Sequence, residues 1–226
     1  MTFQADYSMI LLQFNFPIIY IKKVTIVKEY TVIRRPDNFT WADIPGVAID
    51  SPLHPSEAEV SATAQVCYDD KFLYVHLATV ESEIRAEHKG LLCEVCEDSC
   101  LEFFFAPIMG DGRYFNLECN PNGAIYLGMG SNPDNLVRIV FSEKIPFSPQ
   151  INFTDDGWNL TYEIPHTFVQ QVFPEYAPAP GYSMQANFYK CADKTSQPHW
   201  LMWTPVPPAP RCSFHQPDKF GTLYFK

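Results

Sequence analysis

The sequence predicts an all-β fold, a sandwich or barrel with one short helix, and three observations carry that reading. Twenty prolines and ten glycines interrupt the 226 residues at short intervals. Helical periodicity is almost absent. Roughly ten short runs rich in Val, Ile, Thr and aromatic residues recur with turn signals every 8–12 residues or so.

The elements follow in order. Val24 to Arg34 has a strand composition. Pro36 to Pro55 reads as loop, with Trp41 as an anchor against the core. Val60 to Tyr68 sets Val60, Ala62, Ala64 and Val66 on one face, Asp69-Asp70-Lys71 turns the chain, and Phe72 to Thr79 returns as a hairpin partner. The run from Asp98 to Ala106 is a strand that Pro107 ends. Tyr114 to Asn120, the turn Pro121-Asn122-Gly123, and Ala124 to Met129 form the next hairpin. Leu136 to Phe141, Trp158 to Ile164 and Tyr182 to Tyr189 are further strands. Pro165 opens the one helical candidate, which runs to Phe173, because proline suits a first helical position. Trp200 to Thr204 and Thr222 to Phe225 complete the set around a proline-rich loop. No internal repeat or linker divides the chain, so residues 24–226 read as one domain and 1–23 as an N-terminal arm or a mis-called extension.

Composition narrows the function. Hydrophobic residues make up 46% and aromatics 15%, which suits a globular core and not disorder. The net charge is −10, and the basic residues cluster no further than Lys22-Lys23 or Arg34-Arg35. Phosphate neutralisation needs more than that, so nucleic acid is not an expected partner. Met9 to Ile21 is apolar but too short to span a bilayer, so no membrane partner is expected either. Asp6 stands where a signal peptide would carry basic residues, and no small-residue cleavage site follows. A cytoplasmic location is therefore favoured over secretion. The seven cysteines include Cys93-x2-Cys96-x3-Cys100, which lacks the second pair of a zinc motif; reduced thiols without a metal are the expectation. Oligomeric state is not legible.

Chemistry concentrates in Tyr114 to Asn120. Strand side chains alternate between faces, so Phe115, Leu117 and Cys119 point to the core. Tyr114, Asn116, Glu118 and Asn120 then form a row of a ring, two carboxamides and a carboxylate. In the same way Gln185, Asn187 and Tyr189 oppose Met184, Ala186 and Phe188, and Glu102 opposes Leu101 and Phe103. Any half-exposed sheet has a polar outer face, and alternation alone favours that plain reading. Sugars, however, need rings for their C–H faces and planar donors and acceptors for their hydroxyls. Trp200 and Trp203 fall on opposite faces of one strand, one for the core and one available.

The run Asp98-Ser99-Cys100-Leu101-Glu102-Phe103-Phe104-Phe105, followed by Tyr114-Phe115-Asn116-Leu117-Glu118-Cys119-Asn120-Pro121-Asn122-Gly123, resembles the central signature of family 9-like carbohydrate-binding modules. Asn187-Phe188-Tyr189-Lys190-Cys191, Trp203-Thr204-Pro205 and Phe214-His215-x-Pro217-x3-Phe220-Gly221 fit the same group, so the likeness runs from about residue 28 to the end. The resemblance implies an immunoglobulin-like antiparallel β-sandwich and non-catalytic recognition of sugars, often in bacterial polysaccharide-degrading systems. It also implies a sugar ring clamped between two tryptophans. Carried over by position, Glu102 is the signature carboxylate, and Arg113, Asn187 and Trp203 fall near other contacts. The first clamping tryptophan has no counterpart, since residues 81–97 contain no Trp, Tyr or Phe; either the clamp is rebuilt, from Tyr114 or Tyr189, or the protein binds something else. The candidate ligand-binding set is Glu102, Arg113, Tyr114, Asn116, Glu118, Asn120, Asn187, Tyr189, Trp203 and His215. No cofactor is expected, although the family can carry structural calcium, for which only the Asp69-Asp70 and Asp155-Asp156 turns stand out. Three alternatives stay open: a glycan-active enzyme using Glu102 and Glu118, a haem-binding sandwich using residues such as His76, His199, Met129 or Met184, and a protein-interaction domain.

Overall fold

The computed structural model describes residues 27–90, 92–141, 145, 147–210 and 214–226. The expected arm at 1–23 lies outside the described residues. The described residues form fourteen strands: β1 (Glu29–Arg34), β2 (Gly46–Ile49), β3 (Ser51–Pro52), β4 (Val60–Tyr68), β5 (Phe72–Glu81), β6 (Cys100–Ala106), β7 (Tyr114–Cys119), β8 (Ile125–Gly130), β9 (Val137–Arg138), β10 (Gln150–Phe153), β11 (Gly157–Pro165), β12 (Ser183–Ala192), β13 (His199–Met202) and β14 (Gly221–Phe225). The one short α-helix, α1 (His166–Gln170), follows β11 directly, at the predicted place.

The strands form two layers. One carries β10-β11-β5-β4 with β2 beside β4; the other carries β14-β12-β6-β7-β8-β9, with β13 attached to β12 and β3 to β13. Nearly every ladder is antiparallel, as expected. The exception is β1, which pairs parallel with β4 on one side and β14 on the other and so joins the layers into one curled sheet. The all-β, sandwich-like class holds, and β1 supplies a closure that composition does not reveal.

Between the layers lies an aromatic core. Val66, Leu77 and Trp158 from one layer meet Phe103, Phe115 and Phe188 from the other, all fully buried. Alternation puts them there: Phe103 stacks on Phe105 at 4.8 Å along one strand and on Phe188 at 5.2 Å across to β12. The Asp69 turn is fixed by its own side chain, whose Oδ1 accepts the Lys71 and Phe72 N–H groups. Trp41 does anchor the long loop, but from outside: it stacks on the His76 ring at 5.0 Å, against the outer face of β5. The expected strand from Leu136 to Phe141 shrinks to Val137–Arg138, an edge element paired only to β8.

Candidate functional site

On β6, β7 and β12 the face turned away from the inter-layer core gathers the predicted polar rows. Register sets Glu102 directly across from Glu118 on one side and Tyr189 on the other. Cys191 lies across from Cys100 on β6 and from Trp200 on β13. The common face that alternation predicts is therefore real. It is not an open surface, however. Residues of the 83–99 segment and of the chain after Trp203 fold over it and build a second apolar cluster from Val95, Phe104, Tyr114, Tyr189, Phe214 and Phe220. Sequence gives no sign of this cover, because its residues are individually ordinary loop residues.

Most of the signature is spent holding the cover down. Asp98 is fully buried; its carboxylate accepts the Glu87 and His88 N–H groups and the Asn120 amide, and pairs with Arg85 at 3.3 Å. Ser99 Oγ accepts the Arg85 N–H and donates to Glu81. Asn120 Oδ1 closes the following turn by accepting from Asn122 and Ala124, and Asn122 donates to the Ala86 and His88 carbonyls. Gly123 sits at φ 73°, which a glycine adopts without strain. On the other flank Asn187 accepts the Thr204 N–H and donates to its carbonyl and to Tyr189. The Tyr189 hydroxyl donates to the Phe214 carbonyl and its ring stacks on Phe214 at 4.0 Å. Tyr114 and His215 share a hydrogen bond of 2.7 Å.

What stays accessible is a cavity of about 380 Å³. Glu102, Glu118 and Cys191 form its floor, Trp200, Asp193 and His54 its wall, and Phe214 with His215 its far side. The Trp200 indole N–H donates to Asp193 at 2.7 Å, which fixes the ring, and His54 meets that ring edge-on at 5.9 Å. Burial and then the nearby Glu118 charge hold the Glu102 carboxyl well above the usual range. Burial likewise raises Glu118, although the Asn116 amide, donating at 2.8 Å, works against it. Asp193 is raised by burial, and burial pushes His215 down to about 4, so its ring is neutral at pH 7. The cavity therefore presents carboxyl groups held toward their protonated forms beside a neutral imidazole.

The ten predicted residues divide into three groups. Glu102, Glu118 and His215 line the cavity. Tyr114, Asn116, Asn120, Asn187 and Tyr189 share its face but are buried within its framework and bonded as described, except that Asn116 Oδ1 has no partner among the described residues; Tyr114 and Tyr189 present no open ring for a rebuilt clamp. Arg113 and Trp203 lie elsewhere. Arg113 chelates Asp111 and rests over Phe173, a ring of the inter-layer core. Trp203 is 2% exposed and belongs to that core, against Phe188 and beneath Gly221. Of the two tryptophans, Trp200 faces the cavity and Trp203 the core, the reverse of the predicted assignment. Trp200, Asp193, His54 and Cys191 were missed; the register of β13 against β12 would have found Trp200, since it sits opposite the polar row.

The other expectations meet particular side chains. Asp69 and Asp70 do not fit a calcium ion: Asp69 Oδ2 accepts from the Tyr74 hydroxyl, its Oδ1 caps the turn, and Asp70 pairs with Arg34 at 2.7 Å. The haem candidates are dispersed, with Met184 in the inter-layer core and His76 on the outer face bonded to Gln65.

A family model described as carbohydrate-binding family 9 matches residues 42–225. A solved structure from Bacteroides uniformis, described as a candidate carbohydrate-binding protein, is 25% identical with a TM-score of 0.70, covering 89% of this chain and 100% of that one. Two structures of a family 9 carbohydrate-binding module from Caldicellulosiruptor kristjanssonii, each 13% identical, also share the fold. The complex with cellotriose has a TM-score of 0.63 and covers 88% of this chain and 94% of its own; the glucose complex has 0.62, 88% and 96%. No curated protein sequence matches significantly.

Proposed function

This chain belongs to carbohydrate-binding family 9, and on that premise we propose that it binds a short saccharide in the cavity over β6, β7 and β12. In this reading Trp200 supplies the stacking face, Glu102, Glu118 and Asp193 bond the hydroxyls, and His215 adds a neutral imidazole. The observation that carries the reading is the pairing of one half-buried indole with buried carboxyls around one cavity. A volume of about 380 Å³ suits a small ligand, since such sites span about 300–1,000 Å³. The donor and acceptor mixture suits hydroxyl groups, each of which both donates and accepts.

Binding without catalysis is the favoured form. Glycosidase carboxyls flank the scissile bond, whereas Glu102 and Glu118 rise side by side from neighbouring strands and meet a ligand from one side. A glycan array tests the reading, followed by calorimetry with glucose and cellotriose, the ligands of the two Caldicellulosiruptor complexes. Saturable binding without hydrolysis is expected. A blank array, or saccharide cleavage that Glu102→Gln abolishes, would contradict it.

A further inference from the structure

We propose that Cys100, Cys191 and Glu102 form a binding site for a thiophilic divalent cation, of the Zn²⁺ class, in the floor of the cavity. The inference goes beyond saccharide binding and does not rest on it. Two thiol sulfurs and one carboxylate oxygen from these residues all lie within 4.8 Å of one another. Donors around a tetrahedral ion with bonds of about 2.0–2.3 Å need that kind of proximity. The three residues are fixed by the sheet: Cys100 and Cys191 are direct cross-strand partners, and Glu102 follows Cys100 by two positions on the same face of β6. Sites on such rigid elements hold their geometry better than sites on loops.

The surroundings suit an ion. Both thiols are free and buried. Cys191 Sγ reaches Glu102 Oε1 at 2.8 Å, across 89 residues of chain. The nearest buried ammonium, Lys190, is paired with Glu81 at 2.9 Å and bonds neither thiol; its charge still favours the ionised forms of Cys100 and Glu102. A sulfur-rich set with one carboxylate selects zinc-like ions over calcium or magnesium, which prefer all-oxygen shells. On binding, each thiol and the protonated Glu102 carboxyl release a proton to solvent, and the two sulfurs and the carboxylate oxygen coordinate the metal. Glu102 and Cys191 also line the cavity, so a water or a sugar hydroxyl there can supply a fourth ligand.

The test uses the full chain, reduced, stripped with a chelator and titrated with Cd²⁺ alone. One equivalent should bind, with an ultraviolet thiolate-to-metal band and release of about two to three protons, two from the thiols and the rest from Glu102, and Zn²⁺ should displace it. Cys100→Ser and Cys191→Ser should each weaken uptake by about 100-fold or more, beyond what losing an outer-shell partner costs. Cys93→Ser, altering a half-exposed thiol outside the set, should change nothing. No band in the wild-type chain, or a band that survives both serine changes together, would overturn the proposal; the wild-type titration decides even if a variant misfolds. Calorimetry with saccharide in excess chelator reports the sugar reading separately.

Discussion

Glu102 on β6 stands directly across the strand pair from Glu118 on β7, and both carboxyls are buried beneath the cavity. Two like acids in adjacent cross-strand positions are costly when ionised together. They make the pH response of this protein unusual.

Both carboxyls are raised, so the native state holds protons that the unfolded chain has released. Their stabilising contribution is complete below the unfolded value of 4.5 and is lost as pH rises through the folded values, about 7 for Glu118. Each raised group contributes a slope of up to about 1.4 kcal/mol per pH unit inside its window. Urea unfolding at pH 5 and pH 8 should show the wild type losing more stability across that interval than Glu118→Gln does. Parallel curves for the two proteins would contradict this.

Asp98 anchors the cover through three N–H donors and Arg85. Asp98→Ala should cost about 3 kcal/mol or more, since it strands those donors and an arginine. Hydrogen exchange should speed first at Glu87 and His88. Unchanged protection there would mean the loop is held by something else.

The Lys190–Glu81 pair, shared with the Trp158 indole at 2.7 Å from Glu81, is sealed from water. Lys190→Met should destabilise by about 3–5 kcal/mol because Glu81 keeps an uncompensated buried charge. Adding Glu81→Gln should recover a good part of that loss. A fully additive double variant would contradict the coupling.

Trp203 and Gly221 form a tight contact: a Cβ at Gly221 would lie 2.4 Å from the indole ring. Gly221→Ala should therefore cost about 1–3 kcal/mol by overpacking, and Trp203→Ala about 3–5 kcal/mol by leaving a core cavity. Thermal denaturation checks both.

Much of this architecture was legible because local chemistry and tertiary packing agree. β4 matched its predicted bounds, since its small apolar residues alternate and its end is marked by an aspartate turn. The faces of Glu102, Glu118 and Asn187 followed from period two alone. The cover did not. Whether Tyr189 is an open ring or a buried strut depends on Phe214 stacking on it from a distant loop, which no strand pattern encodes. The choice between Trp200 and Trp203 failed for a related reason: alternation separates them but does not say which face meets the other layer. Cys191 joined Cys100 only through the β6–β12 register, whereas sequence spacing grouped Cys100 with Cys93 and Cys96.

The most direct test of the central claim compares two tryptophans by calorimetry against whichever saccharide the array identifies. Trp200→Ala should keep the wild-type melting temperature within a few degrees yet weaken affinity at least about tenfold, or about 1.4 kcal/mol. Undiminished affinity in a folded Trp200→Ala protein would contradict the account and move the binding surface away from this cavity.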